Sequence, residues 1–227
     1  MQIYDENWAA SYERVAEASI PGRAGLYRLC QVVFSKIPSD SNVLIVGSGT
    51  GAELILLAQS FPGWTFDAVE PATEMINYCR REIDRLRLSE RIKLHEMDFE
   101  SYSTTKRYDA ITSVLVSQHL SDNQSAQHFF SKLHDLLLPR GLLFSADLHI
   151  AVNQDREQML SLWEQQALFA GISAEIVSGM RKRLESDLSP RDEEVIENFF
   201  EQAGFKSWLK PFSSLIYGAW CARKDLG

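Results

Sequence analysis

The 227-residue sequence predicts an α/β fold, a doubly wound and mostly parallel sheet with helices on both faces. Three observations carry that prediction. Short β-like runs alternate with amphipathic helical stretches between residues 42 and 148. The runs NVLIVG, YDAITSVLV and GLLFSADL are apolar almost throughout, as strands covered on both faces are. Glycines follow the first run directly and open a helix, the arrangement of a ligand crevice at the carboxyl ends of parallel strands.

The elements follow in order. Residues 1–40 read as two helices separated near Pro21-Gly22, a helical cap on the core. The cofactor-binding core spans 41–150. Its strands are Asn42–Gly47, Trp64–Glu70, Arg91–Asp98, Tyr108–Val116 and Gly141–Leu148. A helix from Ala52 to Ser60 follows the glycines, and one from Thr73 to Leu86 places Ile76, Cys79, Ile83 and Leu86 on one face. The helix from Asp122 to Leu138 carries Phe129, Phe130, Leu133, Leu136 and Leu137 on one side, with Pro139 and Gly141 as its stop. Residues 151–203 read as a helical insert whose last helix starts at Ser189-Pro190. Residues 204–227 read as a C-terminal antiparallel hairpin with a tight connection around Pro211–Ser214. All four parts are expected to form a single domain.

The net charge is −8, and an acidic balance repels nucleic-acid backbones and anionic lipids. No apolar run approaches the roughly 20 residues needed to span a bilayer, and the polar N-terminus does not read as a signal peptide. Three well-separated cysteines, Cys30, Cys79 and Cys221, point to a reducing cytoplasm and not to a disulfide framework. The five histidines lack a metal-ligand spacing.

The chemistry centres on VLIVGSGTGAE, Val43–Glu53. Glycines at 47, 49 and 51 let the backbone turn sharply and let a ligand approach its N–H groups. Nineteen residues after Gly51 comes Glu70, at the end of the second strand, where an acid can accept both hydroxyls of an adenosine ribose. The string also fits a dinucleotide pattern as Gly47-x-Gly49-x-x-Ala52, so a nicotinamide cofactor is the competing reading. Three features favour S-adenosylmethionine. Glu53 stands just inside the helix, where a pyrophosphate would be repelled. Met97-Asp98-Phe99 ends the third strand, where an acid can take an adenine amino group and an apolar neighbour can cover the ring. The terminal hairpin is expected of methyltransferases and not of dehydrogenases.

With those residues in place, the sequence resembles the class I S-adenosylmethionine-dependent methyltransferases, which have a Rossmann-like fold. VLIVGSGTG resembles the first motif of that family, AVEP the second and HEMDF the third; SVLVSQHL and LLLPRGLLFSADL resemble the segments around its fourth and fifth strands. The resemblance implies a seven-stranded sheet whose last strand is antiparallel. It implies that Gly47, Ser48, Gly49 and Gly51 border the methionine part of the cofactor and that Glu70, with Pro71 beside it, holds the ribose. It further implies that Asp98 and Phe99 hold the adenine, that Met75 also contacts the cofactor, and that the backbone around Leu115–Ser117 borders the amino-acid end.

The order of Tyr12, Ile20–Arg23, the core, the insert and Gln202–Phe205 is also similar to tRNA wobble-uridine methyltransferases that use carboxy-S-adenosylmethionine. Those proteins have PGY where this chain has Pro21-Gly22-Arg23. They carry an arginine for the extra carboxylate where this chain has Phe199. Both departures point to ordinary S-adenosylmethionine. The same relatives form homodimers, which implies a homodimer here.

Methyl transfer is an in-line displacement, so the main task is to align a nucleophile and exclude water. Candidates for a proton acceptor stand at the ends of the fourth and fifth strands: His119, Asp147 and His149. Tyr12, Arg23, Tyr27 and Trp163 are the candidates for contacting a small-molecule acceptor. A tRNA-modifying methyltransferase and a non-catalytic cofactor-binding protein are the alternatives. Tyr102-x-x-x-Lys106 matches a short-chain dehydrogenase signature but lies in a loop between strands, where that chemistry does not operate.

Overall fold

A computed structural model of the chain describes residues 6–120, 122–151, 153–188 and 190–226, with side chains from residue 12 onward. The central sheet is built from β1 (Asn42–Val46), β2 (Thr65–Glu70), β3 (Ile92–Glu96), β4 (Tyr108–Val114), β5 (Leu137–Ile150), β7 (Ser207–Ser214) and β8 (Tyr217–Arg223). Their order is β3-β2-β1-β4-β5-β8-β7. β8 runs antiparallel to β5 and to β7, and the pairs among β1–β5 are parallel. The seven-stranded sheet with one reversed strand is as the sequence implies. A two-residue β6 (Arg191–Asp192) adds to the end of β5.

The strand order reverses between β1 and β4, which opens a crevice at their carboxyl ends. One face carries α2 (Arg23–Phe34), α3 (Ala52–Ser60) and α4 (Thr73–Arg85); Leu26, Phe34, Leu54, Leu57 and Ile83 pack there against Val43, Ile45 and Phe144. The other face carries α5 (Asn123–Leu136) and α8 (Glu193–Ala203), whose Phe129, Phe130, Leu133 and Phe200 cover Leu44, Val46, Ile111 and Trp220. Three further helices, α1 (Glu6–Ser19), α6 (Arg156–Phe169) and α7 (Ala174–Ser186), gather around a cluster formed by Ala16, Ile20, Leu160, Trp163 and Leu184 with Leu148 and Ile150 of β5.

Local chemistry explains the boundaries. Gly22 takes φ 81° between α1 and α2, the left-handed turn expected near Pro21-Gly22. The Asp122 side chain accepts from the Ser125 N–H and starts α5 one residue later. Three boundaries differ from the sequence reading. β5 begins at Leu137, before Gly141, because Pro139 forces extended backbone on Leu138 and Leu137 already pairs with Tyr108. It also continues to Ile150, so His149 as well as Asp147 lies inside the strand and neither stands at its end. The last insert helix begins at Glu193 behind Asp192; residues 191–192 pair with β5, and Ser189 lies outside the described residues. In the hairpin, Pro211 sits within β7 where the register shifts between Leu209 and Phe212, a place that needs no ladder N–H. The turn follows at Leu215-Ile216, with Leu215 at φ 50°.

Candidate functional site

The glycine loop closes off β1. The N–H groups of Gly47 and Ser48 both donate to Val69 O, at 2.9 and 3.2 Å. The Gly49 N–H donates to Glu70 Oε2 at 2.8 Å, and the Ala72 N–H to Glu70 Oε1 at 3.0 Å. All three glycines have positive φ. They differ in what a side chain would meet. A Cβ on Gly47 would overlap Val116, and one on Gly51 would come within 2.5 Å of Cys79 Sγ. One on Gly49 would meet no atom within 4 Å. Two of the glycines thus serve the protein's own packing, and Gly49 leaves the loop open on its ligand side.

Glu70 is buried. Burial pushes its carboxyl up, the two backbone donors pull it down, and the Asp98 carboxylate pushes it up again. Asp98 is exposed at the end of β3, and Met75 is buried in the first turn of α4, below exposed Pro71. Phe99 is turned away: its ring meets Phe129 edge-on at 5.2 Å, and Lys132 Nζ lies over it at 4.7 Å. The ring expected to cover an adenine is therefore committed to the core. Leu115 has φ 59°, and its N–H reaches across to Ala146 O at 2.7 Å, which exposes the backbone beyond β4 to the crevice.

The cap helices roof the loop. A narrow cleft of about 50 Å³ is lined by Gly47–Thr50, Glu53 and Leu115 below and by Tyr12, Glu13, Arg23 and Tyr27 above. Arg23 is buried; its Nη1 donates to Glu13 Oε2 at 2.7 Å, and its guanidinium lies 5.0 Å from the centre of the Tyr27 ring. Burial opposes its charge, but Tyr27 and Glu13 outweigh burial and hold the guanidinium above its ordinary pKa. The other Glu13 oxygen accepts from the Thr50 hydroxyl. Glu53 does not face the helix N-terminus as its sequence position promised. Its carboxyl is buried against the Thr112 hydroxyl, and burial pushes its pKa up to about 7 against the pull of Thr112 and Arg23. Glu13 is the one liner that no motif announced. Its contact with Thr50 spans 37 residues, and a polar helix position carries no signal for such a reach.

The proposed acids and bases separate. Residues 143, 145, 147 and 149 of β5 face α5 and α8, because strand side chains alternate and Leu143 packs in that layer. Asp147 is 1% exposed and accepts from the Ser117 and Ser145 hydroxyls, the latter at 2.8 Å. His149 is 2% exposed and meets Trp220 edge-on at 5.3 Å. Its ring nitrogens find no hydrogen-bond partner among the described residues, and burial, with Lys210 nearby, lowers its pKa to about 4. Both are walled off from the crevice, which corrects their expected place at its rim. His119 is exposed in the short turn Ser117–His119; partial desolvation and then Arg183 hold its pKa below the usual value. Trp163 is also corrected. It is fully buried and its Nε1–H donates to Ser19 O at 3.0 Å, so it fastens α6 to the end of α1 and does not line a ligand surface. The dismissed Tyr102/Lys106 pair is a clasp around Asp67: Lys106 Nζ donates to Asp67 at 2.8 Å, and Tyr102 shares a 2.7 Å bond with Tyr108.

The chain resembles known proteins in sequence and in fold. Residues 43–141 match the family model described as a methyltransferase domain. (S)-Coclaurine N-methyltransferase of Papaver somniferum is 27% identical over 110 residues, 48% of this chain and 30% of that protein. Carboxy-S-adenosyl-L-methionine synthase of Yersinia pestis (strain Pestoides F) is 20% identical over 225 residues, 97% of this chain and 84% of that protein. The solved apo structure of the S-adenosylmethionine-dependent methyltransferase SibL superposes with a TM-score of 0.67 at 15% identity, over 90% of this chain and 56% of that one. The chain thus spans under a third of the first of these relatives and just over half of the third. This Yersinia pestis relative, which spans nearly all of the chain, is a synthase of the carboxylated cofactor, not one of the tRNA-modifying enzymes the motif order resembles. Residues 43–141 are thus similar to a methyltransferase domain, and the chain shares the fold of a solved S-adenosylmethionine-dependent methyltransferase.

Proposed function

We propose that the chain transfers a methyl group from S-adenosylmethionine to a small-molecule acceptor. The observation that carries this reading is the Gly49–Glu70 bond, which sets an open-faced backbone turn beside a carboxylate. The residues fit the cofactor. A Cβ at Gly49 has free space, and Ser48 Oγ is buried without a partner among the described residues. Each Glu70 oxygen takes one backbone donor and keeps acceptor capacity for ribose hydroxyls. Asp98, Met75 and the chain after β3 would border the adenine, and Gly47, Ser48, Gly51 and the Leu115 backbone the methionine part.

When bound, the cofactor supplies a methyl carbon activated by positive sulfur. The chain's own contribution is to orient and to exclude water. Tyr12 and Tyr27 roof the cleft, and His119, exposed in the turn after β4, is the candidate proton acceptor. Partial burial and then Arg183 lower its pKa and favour the neutral ring that a proton acceptor needs. The surface charge balance, −8 overall, favours a small acceptor over tRNA.

A second reading, formation of the carboxylated cofactor, draws support from the similarity to the Yersinia pestis synthase across 97% of the chain. Phe199 weighs against it. Its ring stacks on Phe130 at 5.6 Å, and the Arg191 guanidinium over it is committed to Asn123 Oδ1, Ser117 O and Leu120 O. Mass spectrometry separates the two, since methyl transfer yields S-adenosylhomocysteine and the synthase reaction a heavier adenosyl compound.

Titration calorimetry with S-adenosylhomocysteine tests the proposal. One site per chain is expected, weakened roughly ten- to hundred-fold in Glu70→Ala, since hydrogen bonds to a charged group contribute about 1.5–3 kcal/mol. Unchanged affinity in that variant contradicts the assignment.

A further inference from the structure

Glu13 presents a carboxylate inside the cofactor cleft, and it is held there as a ligand's carboxylate would be. One oxygen sits on the buried Arg23 guanidinium at 2.7 Å; the other takes the hydroxyl of Thr50, a residue of the glycine loop itself. Ser48 Oγ, a third donor on the same loop, is buried and has no partner among the described residues. The Arg23 guanidinium lies over the Tyr27 ring, 5.0 Å from its centre. These groups form an anion subsite at the amino-acid end of the cleft, and the segment that fills it belongs to the chain.

We infer that Arg23, with Thr50 and Ser48, recognises the α-carboxylate of the cofactor, and that Glu13 is its internal stand-in, displaced when the cofactor binds. This rests on the cofactor reading given above. The size of the cleft supports it. About 50 Å³ lies between loop and roof, against roughly 300–1,000 Å³ in ligand pockets generally. Helix α1 therefore shifts for the amino-acid end of the cofactor to seat, and the Glu13 contacts are the ones broken. Breaking them costs little when a second carboxylate takes over the guanidinium, because the fork of Arg23 stays paired throughout. A ligand without a carboxylate leaves Glu13 on Arg23 and gains nothing from the guanidinium. Arg23 thereby selects for the complete amino-acid end of the cofactor, and α1 reports its arrival.

The test compares two adenosyl compounds, S-adenosylhomocysteine, which has the carboxylate, and 5′-methylthioadenosine, which lacks the amino-acid end. The readout is the ratio of their dissociation constants by calorimetry. Glu13→Gln, which keeps shape and removes charge, is expected to raise the preference for S-adenosylhomocysteine several-fold. Arg23→Met is expected to lower that preference about ten-fold or more, the scale of a lost charge-assisted pair. Should Arg23→Met unfold the chain, Glu13→Gln alone decides. A preference unchanged in Glu13→Gln, with both compounds shifting together, overturns the inference and leaves the cofactor reading standing. Failure of both compounds to bind the unmodified chain overturns the cofactor reading and this inference with it.

Discussion

The Gly49 N–H and the Glu70 carboxylate meet at 2.8 Å across the gap between β1 and β2. The bond gives Glu70 two tasks. It shapes the loop after β1, and it turns its remaining lone pairs toward the crevice.

Glu70→Gln separates these tasks. The amide oxygen still accepts from Gly49, but the charge and one acceptor are gone. The melting temperature is expected to stay near that of the unmodified chain while affinity for S-adenosylhomocysteine falls about ten-fold. Calorimetry beside a thermal melt checks both; a large loss of stability with intact affinity speaks for a structural role alone.

Glu53 makes stability depend on pH. Its folded pKa, pushed to about 7 by burial, exceeds the unfolded carboxyl value of 4.5, so the folded chain binds this proton more tightly. The stabilisation is fully present below about pH 4.5 and is lost as pH rises through about 7. Glu53→Gln removes the titration. Relative to the unmodified chain, the variant should gain on the order of 2–3 kcal/mol between pH 5 and pH 8 in urea denaturation. Parallel pH profiles would assign the dependence elsewhere.

His149 lies against the bare backbone of Gly218. A Cβ there would come within 2.5 Å of the imidazole Cδ2 and 2.9 Å of the Trp220 ring. Gly218→Ala should cost about 1–3 kcal/mol by overpacking, and less when combined with His149→Ala. Additive costs in the double variant would show that the imidazole is not the obstacle.

Trp163 is a fastening, not a ligand contact. Trp163→Phe should destabilise by about 1–3 kcal/mol, since the Ser19 carbonyl loses its donor in a buried place. Trp163→Ala should cost about 3–5 kcal/mol through the cavity. A variant that keeps its melting temperature and loses acceptor turnover would restore the original expectation.

The sheet was readable because its cause is local. Apolar strands such as Val43–Val46 and helix faces such as Ile76, Cys79 and Ile83 show their burial in their spacing. The loop glycines and Glu70 were readable for the same reason: strand, turn and acid follow one another in the chain. What spacing does not encode is direction at the end of a strand. Asp147 and His149 read as rim residues from their place near the strand's end, but alternation from Leu143 turns them toward α5 and α8. Phe99 obeyed the apolar partners on α5 and not the ligand. The contact of Glu13 with Thr50 is made by a helix folding back over the sheet, and no local pattern announces it.

The most direct measurement is a crystal structure of the chain soaked with S-adenosylhomocysteine. Density is expected over Gly49, with the ribose on Glu70, the adenine beside Met75 and Asp98, and the carboxylate on Arg23 in place of Glu13. Density at any other surface, or a glycine loop left bare under saturating ligand, contradicts the account.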